Sequence, residues 1–347
     1  MNVNTTVTIK RQCQMLLLAM MLAFVVAGAQ TNPQLGAEKK LVGSWVRTKG
    51  KIGDAKFELL DGGTGTSGGS PITWKYKTGD TLVLTKNIKG KETAETYSIG
   101  LNTVAPDFYG YGTQLNLFDS KDRESEYWKK EDLDEVARIK KEAKQSISFT
   151  DSRDKKKYKA VKIDGKTWMA ENLNFKTDNS LCFEKKDANC TKYGRLYTWD
   201  EAKKACPEGW RLPKKEEWEA LFKTERKLRN YNDNSVELAS DRDGDFLRSK
   251  TGWSTFKGGK NGTNELGFSA LPGGEKSGDD FLGPKEENIK GKWWADLDKG
   301  ANAGSADIGT YLEAAGMYSK AKLAALTPSA GGETPKTDGL SVRCVQD

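Results

Sequence analysis

Residues 161–174 read VKIDGKTWMAENLN, and they open a run of short motifs rich in tryptophan, glycine and proline. The motifs that follow in chain order are YGRLYTW (193–199), ACPEGWRLP (205–213), EWEAL (217–221), TGW (251–253), NGTNELGFSALPGG (261–274) and SVRCV (341–345). This residue composition begins at about residue 158, and the apolar residues in it show little regular periodicity. The second half of the chain is therefore predicted to be a separate, loop-rich domain.

Together these motifs resemble the Fibrobacter succinogenes major paralogous domain, a family of exported bacterial modules, over about residues 158–347. The resemblance implies a secreted or surface protein and brings no established reaction. The helix cysteine followed by Gly-Trp-Arg-Leu-Pro, with the closing Val-Arg-Cys, is also similar to the C-type-lectin-like fold and its branch of formylglycine-generating enzymes. We therefore expect a loop-rich C-type-lectin-like α+β domain over residues 149–347.

Few regular elements are expected inside that domain. A helix is predicted over Glu201–Cys206, capped by Asp200 and stopped by Pro207. A second helix is predicted over Lys214–Phe222. The glycine-rich stretch 257–309 is predicted to be mostly loop and short strand.

Four cysteines follow the N-terminal segment, namely Cys182, Cys190, Cys206 and Cys344. An even count in an exported chain predicts two disulfides, with three connectivities to choose from. In the C-type-lectin-like fold a helix cysteine bonds to one on the last strand, so the resemblance implies Cys206–Cys344 and leaves Cys182–Cys190 as a local bridge. The long bridge would close a loop of about 138 residues, which the chain-entropy model values at about 4–5 kcal/mol.

Residues 1–29 are predicted to be a secretory signal peptide. A basic segment precedes the apolar run Met15–Ala27, which is too short for a membrane span of about 20 residues. Ala-Gly-Ala then precedes the expected cleavage after Ala29. Cys13 lies before the apolar core, where it is badly placed for lipid attachment. We expect a protein secreted by a bacterium or held at its surface or in its periplasm, with no integral membrane span after cleavage.

Residues 37–130 are predicted to be all-β. Alternating runs are separated by Gly- and Asp-rich turns, and they are ITWKYK (72–77), TLVLT (81–85), ETYSIG (95–100) and QLNLF (114–118). With LVGSW (41–45) and EYWKK (126–130), they resemble bacterial lipocalin-like domains, which are antiparallel β-barrels. The resemblance implies a structural role for Trp45 as a plug, and such a barrel is either filled by side chains or holds one small ligand.

Two connections complete the domain plan. The segment DGGTGTSGG (61–69) is predicted to be a flexible hairpin connection within the barrel. Residues 131–148 are predicted to be a helical linker, with acids leading and bases trailing along 131–146, as suits the helix dipole. We expect this helix to dock on one of the two domains.

The composition argues against an enzyme. The chain has no histidine, which removes the commonest general base and the usual zinc ligand. Carboxylate pairs remain, but with 49 acids a chance pairing proves nothing. The formylglycine-generating branch works with a pair of reactive cysteines near its C-terminus, whereas Cys344 is the only cysteine after Cys206. We therefore expect a non-catalytic protein without a cofactor.

Calcium-dependent sugar recognition and nucleic-acid binding are also not expected, while a structural calcium ion stays an open alternative. Without Lys10 and Arg11 the formal charge falls from +7 to +5, with both signs interspersed, so no basic patch predicts nucleic-acid binding. The calcium-lectin motifs are absent, and their nearest counterparts are Asn264-Glu265 and Trp294-Ala295-Asp296. Residues 241–245 (DRDGD) lack the Gly and Glu that an EF-hand loop needs, so a solvated turn is predicted there.

Three tryptophans in the Gly- and Lys-rich region are the candidate ligand contacts: Trp253, Trp293 and Trp294. Exposed indoles stack on sugars, but burial is favoured over ligand contact here, because loop-rich domains often fix their loops with aromatic side chains. The expected function is an exported non-catalytic binding or adhesion module of the cell envelope or secretome, with polysaccharide or a surface protein as its partner. The alternative is an accessory envelope protein whose lipocalin-like barrel binds a small apolar ligand.

Overall fold

The structure is a computed structural model of the 347-residue chain. It describes residues 38–346 except for 78–79, 104–112, 234–243, 254–260, 284–287, 313–318 and 321–332. The predicted signal peptide and Cys13 therefore lie outside the described residues. The chain divides into two compact units, the first comprising 38–101 and 114–130 of the described residues and the second comprising the other described residues.

The first unit is a closed antiparallel barrel of eight strands, in which each strand pairs with the next and the last returns to the first. The strands are β1 (Gly43–Gly50), β2 (Lys56–Leu60), β3 (Thr64–Ser67), β4 (Ser70–Lys77), β5 (Thr81–Ile88), β6 (Lys91–Thr103), β7 (Thr113–Phe118) and β8 (Glu124–Lys129). The predicted antiparallel β-barrel is confirmed. Its strands follow one another around the wall, so its topology is the simplest that closes a sheet.

The glycine-rich segment 61–69 is not only a connection, because β3 lies inside it. Gly65 pairs with Leu59 and Ile72, and a Cβ atom at Gly65 would lie 2.0 Å from the backbone oxygen of Glu58. The expectation of a hairpin connection over the whole segment is wrong for this reason. Glycine here permits the close approach of two strands rather than a flexible loop.

Side chains from alternate strand positions fill the interior of the barrel. Trp45 is fully buried, its Nε1 donates to the Leu41 oxygen at 2.8 Å, and its ring stacks on Phe57 with centroids 6.3 Å apart. The other buried members of this core are Ile52, Leu59, Ile72, Trp74, Leu82, Leu84, Tyr97, Ile99, Leu115, Leu117 and Tyr127. Trp45 is thus a core residue of the barrel.

The second unit contains two curled sheets, a two-stranded ribbon and four α-helices within the described ranges. The helices are α1 (Lys130–Ala143), which starts at the boundary between the units, α2 (Asp187–Tyr193), α3 (Trp199–Ala205) and α4 (Lys215–Asp233). A 3₁₀ turn spans Phe183–Lys185. Within this part of the chain, none of the helices is both long and apolar enough to cross a membrane.

The strands of the second unit form sheets with non-sequential order. They are β9 (Ile147–Thr150), β10 (Lys157–Ile163), β11 (Lys166–Met169), β12 (Leu196–Tyr197), β13 (Trp210–Arg211), β14 (Glu275–Ser277), β15 (Asp280–Leu282), β16 (Asn288–Lys299), β17 (Asn302–Leu312), β18 (Ser319–Lys320), β19 (Glu333–Pro335), β20 (Leu340–Ser341) and β21 (Val345–Gln346). One sheet has the order β13-β21-β11-β10-β9 and the other β12-β20-β16-β17-β18, with β19 also on β17. The ribbon is β14-β15.

The helices depart from the predicted bounds in ways that packing explains. The helix predicted within the linker 131–148 is present as α1, but it ends at Ala143, and residues 147–148 belong to β9. Val136 and Ile139 bury α1 in the core of the second unit. Helix α3 begins at Trp199 after Thr198, so Asp200 lies in its first turn and is not its cap. Helix α4 continues well past Phe222, and Leu228 packs in the same core.

The stretch 257–309 holds the longest hairpin of the second unit's described part, which corrects the expectation of loop and short strand. Strands β16 and β17 have 12 and 11 residues and pair along most of their length. A Cβ atom at Gly291 would lie 2.3 Å from the Trp293 ring, and one at Gly304 would lie 2.9 Å from Leu297. These glycines leave room for neighbouring side chains, and they do not interrupt the strands.

Both implied disulfides are present. Cys206, just after α3, bonds to Cys344, just before β21, across a separation of 138 residues. Cys182 bonds to Cys190 across eight residues. Residues 340–346 supply an internal strand to each sheet, since β20 lies between β12 and β16 and β21 lies between β11 and β13.

We predict that Trp45→Ala lowers the free energy of unfolding of the barrel by about 3–5 kcal/mol, because it leaves a large cavity in a packed interior. Urea unfolding followed by far-ultraviolet circular dichroism measures the change. Thr73→Ala on the exposed outer face is the control and should stay within about 0.5 kcal/mol of the unchanged chain. Equal midpoints for the two variants would contradict the assignment of Trp45 to the core.

Candidate functional site

The three candidate contact tryptophans lie in the core. Trp293 and Trp294 are fully buried and Trp253 is 4% exposed. Their indole N–H groups donate to the Asn172 Oδ1, the Tyr197 oxygen and the Ala270 oxygen, at 2.9, 2.7 and 3.0 Å respectively. The favoured burial of these tryptophans is confirmed, and their candidate role as ligand contacts is corrected, since none of the three presents a ring face on which a sugar could stack.

Trp293 leads to a buried amide that joins several motifs. The Asn172 Nδ2 donates to the Tyr193 oxygen at 2.7 Å and to the Ser341 Oγ at 3.3 Å. Its Oδ1 accepts from the Trp293 Nε1 at 2.9 Å and from the Arg343 Nε at 2.7 Å. The two donors and two acceptor positions of this amide are therefore all used inside the protein.

The guanidinium of Arg343 is fully buried beside this amide. Its Nη1 donates to the Met169 oxygen at 3.0 Å and to the Phe268 oxygen at 2.5 Å, and its Nη2 donates to the Ser269 oxygen at 2.8 Å. Burial lowers the Arg343 pKa to about 9, against the opposing effect of the Glu171 charge. We call Asn172, Arg343 and their hydrogen-bond partners the Asn172–Arg343 node.

A second set of motif residues also forms its hydrogen bonds and ion pairs within the protein. Glu217 in α4 makes a bidentate pair with Arg211, at 2.7 and 2.8 Å, and accepts from the Lys214 N–H at 2.8 Å. Burial raises the Glu217 pKa, but these partners together with Lys166 outweigh it and hold the pKa at about 2. The next residue, Trp218, is fully buried. The EW motif therefore fixes the start of α4.

The features nearest to lectin and calcium motifs have internal partners as well. Asn264 donates to the Ser269 Oγ and accepts from the Ser269 N–H, both at 2.8 Å, which closes a turn. Asp296 pairs with Lys203, and Asp245 pairs with Arg248. Residues 241–243 lie outside the described residues. Across the residues that are described, no group of three or more His, Cys, Asp or Glu side chains is arranged to hold a metal ion.

The barrel contains a polar cluster that the sequence analysis missed. Lys86 lies 2.6 Å from the Asp54 Oδ2 and 3.6 Å from the Glu95 Oε2. Ser67 donates to Asp54 at 2.6 Å, and Tyr97 donates to Glu95 at 2.9 Å. We call these five residues the Lys86 cluster. Lys86 continues the alternation of the buried residues Leu82 and Leu84, and a lysine at that inward position is the signal that could have revealed it.

The electrostatics of the Lys86 cluster favour the charged forms. Burial lowers the Lys86 pKa, but the hydrogen bond to Asp54 and the charge of Glu95 outweigh it, so the pKa is raised overall. The hydrogen bonds from Lys86 and Ser67 lower the Asp54 pKa. The Lys86 side chain is 13% exposed, whereas those of Asp54 and Glu95 are 34% and 39% exposed. The cluster is therefore a partly solvated, polar candidate site in an otherwise apolar barrel interior.

The comparisons with known proteins bear on the second unit. The model of the Fibrobacter succinogenes major domain matches residues 161–346. The chain belongs to this family. No curated protein and no solved structure matches the chain.

The Fibrobacter succinogenes major domain contains the Asn172–Arg343 node and both disulfides within its matched residues, while the barrel precedes them. The motifs could be recognised in the sequence, but the hydrogen-bond partners of Asn172 and Arg343 could not. Residues such as Asn172 and Ser341 are 169 positions apart, and nothing local indicates that they meet.

We predict that Lys86→Met lowers the free energy of unfolding of the barrel by about 1 kcal/mol near pH 7, a value reduced for partial exposure. Because the folded Asp54 pKa lies below its unfolded value of about 3.9, its pairing stabilises the barrel above that pH and is lost as the pH falls through the folded pKa. Lys86→Met should flatten that acid-side loss. Urea unfolding at about pH 3, 5 and 7 measures both effects.

Lys75→Met on the exposed face of β4 is the matched control, with an expected change within about 0.5 kcal/mol at each pH. If Lys86→Met and Lys75→Met show the same pH dependence, the Lys86 cluster does not contribute to the acid-side stability of the barrel.

Proposed function

We propose that the protein is an exported, non-catalytic binding or adhesion module of the bacterial cell envelope or secretome. Membership of the Fibrobacter succinogenes major domain family supports a secreted or surface module. The two disulfides support an oxidising compartment, since such bonds persist outside the cytoplasm. In this proposal residues 1–29 direct export and are removed after Ala29.

One observation carries the non-catalytic part of the proposal. Three prominent polar side chains of the family motifs have partners inside the protein: Asn172 makes four hydrogen bonds, Arg343 is fully buried and Glu217 is paired with Arg211. A catalytic group must reach a substrate and the reacting atoms. Motifs whose polar groups face inward instead specify a rigid scaffold, and function then belongs to the surface and the loops that the scaffold presents.

We further propose a C-type-lectin-like fold for this scaffold and a lipocalin-like identity for the barrel. The bridge from the cysteine after α3 to the cysteine before β21 supports the first, because it ties a helix to the last strand. The sequential order of eight antiparallel strands with Trp45 in their core supports the second.

A surface protein is the favoured partner over a polysaccharide. The exposed large apolar side chains of the described residues are Leu60, Ile88 and Leu282, and none of these is aromatic. Sugar recognition commonly uses the flat face of an aromatic ring, as the candidate role of Trp293 and Trp294 presumed. Some described rings, such as Trp210, are partly exposed, but the most exposed large apolar side chains are aliphatic, which suits contacts with a protein partner.

Retention assays test the binding proposal. The oxidised protein is incubated with bacterial envelope fractions, with and without prior protease digestion, and with insoluble cellulose and other plant polysaccharides. We expect retention on the undigested envelope and its loss after digestion. Arg343→Met, which disrupts the scaffold, should abolish retention, while Arg138→Met on an exposed side chain of α1 should not. Retention on polysaccharide would transfer the proposal to that partner, and retention on neither would refute it.

Fractionation tests the export proposal separately. The chain is produced in a bacterial host, and the mass of the protein outside the cytoplasm is measured. Export predicts a product that begins at Gln30 with all four remaining cysteines oxidised. A full-length product confined to the cytoplasm would contradict it.

The alternative, a barrel that carries a small apolar ligand, is less well supported. Its described interior is filled by packed aromatic and aliphatic side chains, and its partly exposed interior groups belong to the polar Lys86 cluster. Native mass spectrometry of the purified protein tests this alternative directly. A co-purified lipid of defined stoichiometry would revive it.

A further inference from the structure

The two disulfides of the family domain differ in how often their two cysteines meet in the unfolded chain. Cys182 and Cys190 are eight residues apart, whereas Cys206 and Cys344 are 138 apart. Cys206 is only 16 residues from Cys190 (206 − 190). Because encounter in a flexible chain falls as about the −3/2 power of separation, Cys206 meets Cys190 about 25 times more often than it meets Cys344. Unassisted oxidation therefore favours a wrong partner for Cys206.

Non-covalent contacts around Cys344 reverse that preference in the native state. Its backbone oxygen accepts from the Met169 N–H at 3.0 Å. The next residue, Val345, pairs with Trp168 of β11 on one side and with Arg211 of β13 on the other. The strand β13 begins four residues after Cys206 (210 − 206), so the same pairing brings Cys206 to Cys344.

Arg343 makes this docking dependent on the rest of the domain. A buried guanidinium is costly unless its donors find acceptors. Its acceptors come from two distant parts of the chain, Met169 with Asn172 and Phe268 with Ser269. The native burial of the segment that carries Cys344 therefore requires both parts of the chain to be in place around it.

We propose that oxidation of the domain is ordered, and that Arg343 is a positioning residue for the long disulfide. The Asn172–Arg343 node closes first and aligns Cys344 with Cys206. The two thiols then lose two protons and two electrons to a disulfide oxidant, such as oxidised glutathione, which is reduced to two thiols. Cys182–Cys190 forms within its own segment without the node. The Cys206–Cys344 disulfide thus forms only after the domain has folded.

Refolding with trapped intermediates tests this order. The full chain, with Cys13→Ser so that four thiols remain, is reduced, denatured and diluted into a glutathione buffer. Free thiols are alkylated at intervals, peptide mapping identifies each disulfide, and tryptophan fluorescence reports folding. We expect Cys182–Cys190 first, and Cys206–Cys344 together with the native fluorescence.

Arg343→Met separates positioning from general oxidation. Cys182–Cys190 should form at the unchanged rate, while the yield of Cys206–Cys344 falls at least about tenfold and Cys206 pairs with Cys190 or Cys182 instead. Arg138→Met is the matched loss of an exposed arginine and should oxidise normally. Leu221→Ala weakens the same core away from the node, and its native pairing should persist. Normal Cys206–Cys344 yield in Arg343→Met would overturn the proposal.

A second variant tests the reverse order, in which the disulfide forms before the Asn172–Arg343 node. If the node forms before the bridge, Cys206→Ser/Cys344→Ser regains the native tryptophan fluorescence in dilute denaturant, although with a lower unfolding midpoint. If this variant never regains it, the disulfide precedes the node and the proposal fails. These outcomes concern folding alone, so they are independent of whether the exported module binds a protein, a polysaccharide or neither.

Discussion

The Arg343 guanidinium is fully buried in the second unit, and the residues around it are arranged to accept its hydrogen bonds. Backbone oxygens of Met169, Phe268 and Ser269 and the side-chain oxygen of Asn172 surround it. A charge in such a place is stabilised only by well-placed acceptors, so strand, loop and side chain must all be in position together. The segment 340–346 next to this guanidinium supplies an internal strand to each of the two sheets.

The barrel rests on a different kind of constraint. Its strands pair with their neighbours in sequence, and its core of alternate apolar residues needs no disulfide among the described residues. Local pairing of this kind costs less chain entropy than the closure of the long loop between Cys206 and Cys344. The two units are thus stabilised differently. The barrel relies on hydrogen bonds between strands that are adjacent in the sequence and on apolar packing. The second unit relies in addition on a buried polar node and two disulfides.

This division bears on function. Polar residues inside sequence motifs invite a catalytic interpretation, yet here Asn172 accepts from Arg343 inside the core, and Glu217 is paired with Arg211. These residues hold the framework of the domain together. In the binding module proposed above, recognition belongs to the surface residues and loops that this framework displays.

The sequence by itself determined the antiparallel barrel, because alternation of apolar and polar residues is a local property that fixes which side of a strand faces the core. Its motifs also determined the family. Only the tertiary structure decided that Trp293 and Trp294 are buried, that Gly291 and Gly304 lie within long strands, and that Lys86 faces Asp54 inside the barrel. Each of those depends on a neighbour that is distant in the chain. A glycine in a loop and a glycine beneath a tryptophan ring have the same letter, and only the packing around them tells the two apart.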